Sequence, residues 1–131
     1  GKGYVLTGNV TEFLDPIFSS GVMFAAVSSH LASKLVIRKL KGEVFDWHQH
    51  YTDKLQKGVN TFREFVAAWY DGRLEKIFFA KNPDPLFKSQ ITSVLAGYVW
   101  DETNPFVADP AKAIKGLIKR IDARDKFLQQ S

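Results

Sequence analysis

The fold of this chain is decided by the stretch Gly3-Tyr4-Val5-Leu6-Thr7-Gly8-Asn9-Val10-Thr11-Glu12-Phe13-Leu14-Asp15-Pro16-Ile17-Phe18-Ser19-Ser20-Gly21-Val22. It predicts a short buried strand over residues 4–7, a tight Gly-Asn turn, an Asp-Pro bend, and a helix that begins at a Ser-Ser-Gly cap. Two glycine turns and a helix start within about twenty residues allow a backbone to wrap closely around a flat, charged ligand.

The residues that would contact such a ligand can be named. Gly8 lets the backbone approach a ligand without an intervening side chain, and Asn9 offers a short amide at the end of the strand. Pro16 fixes its own φ and pushes Asp15 away from the helical region. The helix start presents unpaired N–H groups and a positive dipole end, both of which favour an anionic group. The residues of this start are Ser19, Ser20, Gly21 and Val22. An ordinary turn and a serine N-cap are the alternative explanation of the same residues.

The run from Gly8 to Val22 resembles the second flavin-contacting motif of FAD-dependent monooxygenases and flavin-dependent halogenases. That motif is a strand ending in Gly-Asp or Gly-Asn, followed by Asp-Pro and a small-residue turn into a long helix. The form found here is most similar to the halogenase-like branch. The aromatic run over residues 62–71 fits the same family more loosely. The resemblance implies that Asn9 contacts the ribityl chain of FAD and that Pro16 lies against the flavin ring.

The resemblance also implies a parent chain several times this length, in which the segment follows the substrate-binding part. The parent is then an FAD-dependent oxidoreductase with a small-molecule substrate, and halogenation, hydroxylation, dehydrogenation and reduction stay open. We expect the segment alone to be catalytically incompetent and to lack FAD, because these residues contain no Gly-x-Gly-x-x-Gly dinucleotide motif. The catalytic residues of the family lie outside the matched run, so none is assigned.

A second hypothesis is a helical self-assembling or protein-interaction module in which the flavin motif is vestigial. A strand without partner strands and an Ala/Ser-rich helix face would both be uncovered, so we expect the segment to form a homo-oligomer. The missing N-terminal portion of the parent is the other expected partner.

Composition is that of a folded domain: of 131 residues, 45% are hydrophobic and 24% charged, and there is no cysteine. Disorder, disulfides and a thiolate nucleophile are therefore excluded. We predict no membrane span, because no apolar run approaches about 18 residues, and a cytoplasmic location by default. Acidic residues interrupt the basic C-terminal tail, so no nucleic-acid partner is predicted. His48 and His50 point to different helix faces, so no metal site is predicted.

The predicted fold class is mainly α: a helical fragment with one short N-terminal β-strand, taken from a larger α/β FAD-binding fold. Residues 1–42 form a partial FAD-binding segment and residues 43–131 a C-terminal helical region. Helices are predicted over residues 20–40 and 44–70 and after the caps Asp84-Pro85 and Asp109-Pro110. The expected apolar face of the first helix is Val22, Ala25, Ala26, Ser29, Ala32, Ser33 and Val36. The following aromatic residues are expected in a core or interface rather than a substrate pocket: Trp47, Tyr51, Phe62, Phe65, Trp69, Tyr70, Phe78, Phe79, Tyr98 and Trp100.

Overall fold

The computed structural model describes residues 1–8, 14 and 20–129, and these residues are mainly helical. The α-helices in this part of the chain are α1 (Ser20–Leu40), α2 (Asp53–Tyr70), α3 (Arg73–Phe78), α4 (Pro85–Leu95), α5 (Pro105–Ala108) and α6 (Pro110–Gln129). A π-helical turn, His48–Thr52, leads directly into α2. The chain groups into two compact units, Gly1–Asn60 and Thr61–Ser131. The predicted functional division at residue 42 stays a prediction.

The predicted strand over residues 4–7 is wrong. These residues are irregular, and no β-strand forms within the described ranges. A strand requires a ladder of hydrogen bonds to a neighbouring strand. Here the carbonyl of Leu6 accepts a hydrogen bond from the Tyr51 hydroxyl at 2.5 Å instead. The segment is also not buried, since Tyr4 is 65% and Leu6 50% exposed.

Helix α1 begins at Ser20 and ends at Leu40, as the sequence predicts. Its end is closed by Gly42, whose φ of +87° is the left-handed conformation that glycine adopts readily. The N–H of Gly42 donates to the carbonyl of Lys39, and the N–H of Glu43 donates to that of Arg38. These two bonds form a Schellman motif and satisfy carbonyls that the helix end would otherwise leave unpaired.

The predicted apolar face of α1 is mostly wrong. The buried residues along the helix are Ser20, Phe24, Ser28, Ala32 and Leu35, of which only Ala32 was predicted. Val22, at the start of the predicted face, is 80% exposed. Phe24 and Leu35 remove more apolar surface from water than alanine or serine does, so they set which face is buried. Alanine and serine recur at helical spacing on several faces of α1, so their positions do not identify the buried face.

The predicted absence of a membrane span stays a prediction, and one helix bears on it. This helix is long and apolar enough to cross a membrane, judged by length and composition alone. A helix that packs within a folded domain passes the same test, so the finding is weak evidence for a membrane span.

The second predicted helix is confirmed in most of its length, but it starts about three residues later than residue 44. The Asp46 carboxylate accepts a hydrogen bond from the N–H of His48 at 2.8 Å, which begins the helical path here. Val44 lies before this start and is 93% exposed. Further along this helical path Tyr51, Leu55, Val59 and Phe62 are buried. Gly72, in the left-handed region at φ 81°, follows the end of α2.

In the second unit, short polar side chains begin three helices. Asp84 accepts from the N–H of Leu86 at 2.8 Å and starts α4, with Pro85 in its first turn. Asp109 accepts from the N–H of Lys112 at 3.1 Å at the start of α6. Both starts are as predicted. The residues after Asn104 form the short helix α5, because the Asn104 side chain accepts from the N–H of Phe106 at 3.0 Å.

The core of the second unit is aromatic and aliphatic. Phe65 and Phe87 both contact Phe106, with ring centroids 6.4 and 6.3 Å apart in edge-to-face geometry. The aromatic residues divide: Phe62 and Phe65 are buried, whereas the following are exposed: Tyr70, Phe78, Phe79 and Tyr98. The expectation of a core role is therefore correct for only part of the predicted cluster.

Candidate functional site

The turn at Gly8 is packed directly against helix α1. Gly8 has a φ of +71°, in the left-handed region, and it is buried. A Cβ added to Gly8 would lie 3.3 Å from the Cβ and 3.6 Å from the Cα of Ala25, so the backbone approaches the helix where a side chain would crowd it. Glycine is thus required here by both the backbone conformation and the contact with α1.

Two hydroxyl groups hold the segment that precedes this turn. The N–H of Gly8 donates to the Oγ of Ser28 at 2.8 Å, and that hydroxyl donates to the carbonyl of Ala25 at 3.2 Å. The Tyr51 hydroxyl donates to the carbonyl of Leu6. Burial raises the pKa of Tyr51 above its ordinary value, and the nearby Ser28 hydroxyl opposes part of that shift. These contacts fix residues 6–8 beside the first turns of α1.

Sequence reasoning did not identify Ser28 or Tyr51 as residues of this site. Ser28 lies mid-helix, where a serine side chain often bonds a carbonyl of the preceding turn. A serine at such a position therefore does not indicate a hydrogen bond to a residue distant in sequence. Tyr51 was assigned to the aromatic residues of a core or interface. Its hydroxyl was a usable signal, because a buried tyrosine usually finds a hydrogen-bond partner.

The first three residues of α1 differ in their exposure to solvent. Ser20 is 3% exposed, Gly21 is partly exposed, and Val22 is 80% exposed. No acidic residue lies in the first turn of α1. The positive end of the helix dipole is therefore not compensated by a carboxylate of its own first turn, which favours an anionic group beside it.

Four predicted site residues, Asn9, Asp15, Pro16 and Ser19, lie outside the described residues, and their ligand contacts stay predictions. On either side of them, Gly8 donates to Ser28 of α1, and Ser20 is the buried first residue of that helix. Within the described ranges, no group of three or more His, Asp or Glu residues could hold a metal ion.

A glycine turn beside a helix start can place backbone N–H groups against an anionic ligand. No protein-family model matches the chain. The chain is 34% identical, over 121 residues, to 1H-pyrrole-2-carbonyl-(peptidyl-carrier protein) chlorinase from Pseudomonas fluorescens. The alignment covers 91% of this chain and 26% of the chlorinase.

The structural comparison points to the same class of protein. The crystal structure of a flavoprotein/dehydrogenase from Cytophaga hutchinsonii matches with a TM-score of 0.91 and 53% sequence identity. The match covers 95% of this chain and 31% of that protein. The resemblance to the flavin-dependent, halogenase-like oxidoreductases is thereby confirmed, and the chain spans only about a quarter to a third of these relatives.

Proposed function

We propose that this chain is the C-terminal part of an FAD-dependent oxidoreductase of the halogenase or monooxygenase type, and that it forms one wall of the flavin site. The observation that carries the proposal is the near-complete coverage of this chain by two relatives that are three to four times longer. One of those relatives is a flavoprotein and the other a chlorinase. The reaction of the longer protein, called the parent below, is part of the proposal.

The described residues fit a flavin at the start of α1. The left-handed Gly8 turn is fixed against α1 at Ala25, and the helix start lacks a carboxylate in its first turn. Gly21 is partly exposed there and presents no Cβ to a ligand. These features support a flat, anionic group beside the helix start.

Each residue of the turn then has a role. Gly8 and Ser28 hold the backbone that leads into Asn9, whose amide would hydrogen-bond the ribityl chain. Asp15 and Pro16 would direct the chain past the ring. Ser19, Ser20, Gly21 and Val22 would present backbone N–H groups to the pyrimidine edge of the flavin and favour negative charge there. FAD, when bound, supplies the redox chemistry that side chains lack.

The first experiment compares flavin content in the parent and in the 131-residue chain. We expect the purified parent to be yellow and the shorter chain to be colourless, because most of the contact area for the ADP half would be missing. Stoichiometric flavin in the shorter chain would contradict its proposed incompetence. A parent that binds no flavin would contradict the proposed function and favour a helical interaction module with a vestigial motif.

A substitution in the parent tests the placement of the cofactor. Gly21→Val puts a β-branched side chain at the helix start and should strongly reduce flavin content while leaving helicity nearly unchanged. The matched control is Gly116→Val in α6, where an added Cβ meets nothing within 4 Å. Equal flavin content in both variants would refute the placement at α1.

Other features of the parent are also proposals. We infer a small-molecule substrate, an N-terminal portion that completes the flavin site, and a cytoplasmic location without nucleic-acid or membrane partners. Fractionation of cells that express the tagged parent tests the location, and recovery in the membrane fraction would refute it. This test bears directly on α1, whose composition alone permits a membrane span.

A further inference from the structure

Helix α1 has a second uncharged face, on the side away from the face that is buried. The buried face includes Phe24, Ser28 and Leu35. On the other side, exposed residues recur at steps of three and four positions and therefore share one face of the helix. We call this face the outer stripe, and it consists of Val22, Ala26, Ser29, Ser33, Ile37 and Leu40.

The outer stripe is exposed along its whole length and carries no charged residue. Val22 and Leu40, at its two ends, are 80% and 82% exposed. An exposed helix face normally carries charged and polar side chains, whereas a helix that is apolar on more than one side is typical of a buried element. Helix α1 is apolar enough to cross a membrane, yet only 28% of that apolar stretch is buried. These observations favour a partner that covers the outer stripe.

The sizes of the side chains indicate which kind of partner fits. The ends of the outer stripe are aliphatic, whereas its middle consists of the short side chains of Ala26, Ser29 and Ser33. Short side chains at a contact allow the backbone of another element to approach a helix closely. A lipid surface favours large apolar residues along the whole face, because the free energy of burial scales with apolar area. The outer stripe therefore fits a packed protein element better than a membrane.

The rest of the parent is the protein that supplies this element, so the inference rests on the proposed function. The chain spans 26% and 31% of its two relatives. In each relative, more than twice as much protein therefore accompanies the matching segment. A helix with two uncharged faces lies between two layers of a domain. The first unit covers one face of α1, and the rest of the parent is the source of the second layer.

We propose that the outer stripe is the surface on which the rest of the parent packs, and that α1 is a central helix of the parent, buried on both faces. This contact extends beyond the flavin site. Ser33 follows Val22 by eleven positions, which is roughly 16 Å along the helix. A flavin ring at the start of α1 does not reach that far, so protein contacts are what cover Ser33.

The rate at which Ser33→Cys reacts with N-ethylmaleimide, in the parent and in the 131-residue chain, tests the proposal. The 131-residue chain contains no cysteine, and mass spectrometry of the α1 peptide separates this thiol from any cysteine elsewhere in the parent. Labelling at about 1 µM protein disfavours self-association of the shorter chain. We expect the thiol to react at least about tenfold more slowly in the parent, because a covered thiol is not accessible to the reagent. Equal rates would overturn the proposal.

Lys34→Cys is the matched control, because Lys34 is exposed on the same helix and lies outside the outer stripe. Its labelling rate should differ by less than about twofold between the parent and the shorter chain. Equal protection of both thiols in the parent would refute the assignment to the outer stripe. Protection of Ser33→Cys that increases with parent concentration would identify a second copy as the occupant. Protection that requires phosphatidylcholine vesicles would identify a membrane surface, and either result would overturn the proposal.

Flavin content of the same parent preparations separates this inference from the flavin proposal. A flavin-containing parent whose Ser33→Cys thiol reacts as fast as in the shorter chain would refute the docking surface and leave the proposed function standing. A colourless parent that protects this thiol would contradict the flavin site and leave the docking surface standing. Cysteine differs from serine by one atom, so the substitution itself should preserve α1.

Discussion

Replacement of Gly8 by alanine tests whether this glycine is needed by the fold, before any ligand is considered. Two penalties combine at this position. The left-handed backbone, with φ of +71°, is unfavourable for a residue that has a Cβ, and the Cβ would approach the Ala25 Cβ to 3.3 Å. Gly42 is the matched control, because it has a φ of +87° and an added Cβ there would meet nothing within 4 Å.

The two penalties have different expected sizes. Backbone strain for alanine in the left-handed region costs about 1–2 kcal/mol, so Gly42→Ala should lower the free energy of unfolding by that amount. Gly8→Ala should lower the free energy of unfolding by the same amount and by about 1 kcal/mol more, because 3.3 Å is shorter than the roughly 3.5–4.0 Å optimum for two carbon atoms.

Urea denaturation of the 131-residue chain, followed by circular dichroism, measures both variants. The double variant with Ala25→Gly separates the terms further. Ala25→Gly alone should lower the free energy of unfolding by about 1 kcal/mol, because glycine has a lower helix propensity than alanine. The double variant should lose less than the sum of the two single variants, because removing the Ala25 Cβ relieves the crowding. Equal destabilisation by Gly8→Ala and Gly42→Ala, together with simple additivity in the double variant, would refute a steric role for the Gly8–Ala25 contact.

Three further predictions follow from the other contacts. Asn104 both caps α5 and donates to the carbonyl of Gln90 at 2.8 Å. In urea denaturation, Asn104→Ala should therefore lower the free energy of unfolding by about 2–3 kcal/mol, and Asp84→Ala, which removes a cap alone, by about 1 kcal/mol. Equal losses would show that the bond to Gln90 adds nothing. The pKa of Tyr51 is raised by burial above 10.0, so its contribution to stability is complete below pH 10 and is lost as pH rises through the folded-state pKa. Wild type should therefore lose more stability than Tyr51→Phe between about pH 9 and pH 11, and parallel pH profiles would contradict this. The 131-residue chain should self-associate, because α1 exposes Val22, Ile37 and Leu40; a monomer mass by light scattering at about 100 µM would contradict it.

Helix ends were the most predictable part of the fold. Asp84 and Asp109, each followed by proline, start α4 and α6, and Gly42 closes α1, because these residues act through bonds to backbone groups within about one helical turn. Both partners of such a bond are close in sequence, so the helix end can be predicted from the local sequence alone. The short helix α5 follows the same rule at Asn104-Pro105, so it could have been predicted.

Features that depend on distant residues were not predictable in the same way. The apolar residues at positions 4–7 favour a strand, yet a strand also needs a neighbour, and Leu6 instead meets Tyr51, which lies 45 residues further along the chain. The π-helical turn at His48–Thr52 has no sequence signal that we recognise. The buried face of α1 is set by which neighbours contact Phe24 and Leu35, and this information is not present in helical spacing alone.

The candidate site shows how one residue satisfies two requirements. The flavin motif predicts Gly8 because a ligand needs close backbone approach, whereas the structure shows that Gly8 approaches Ala25 of α1 and donates to Ser28. A glycine at this position would therefore be needed even if the flavin role had been lost. For that reason Gly8 cannot discriminate between a working flavin site and a vestigial one. A discriminating residue has to be one that is proposed to face the cofactor. Gly21 is such a residue: it is partly exposed at the start of α1, and flavin content after its replacement in the parent reports on the cofactor itself.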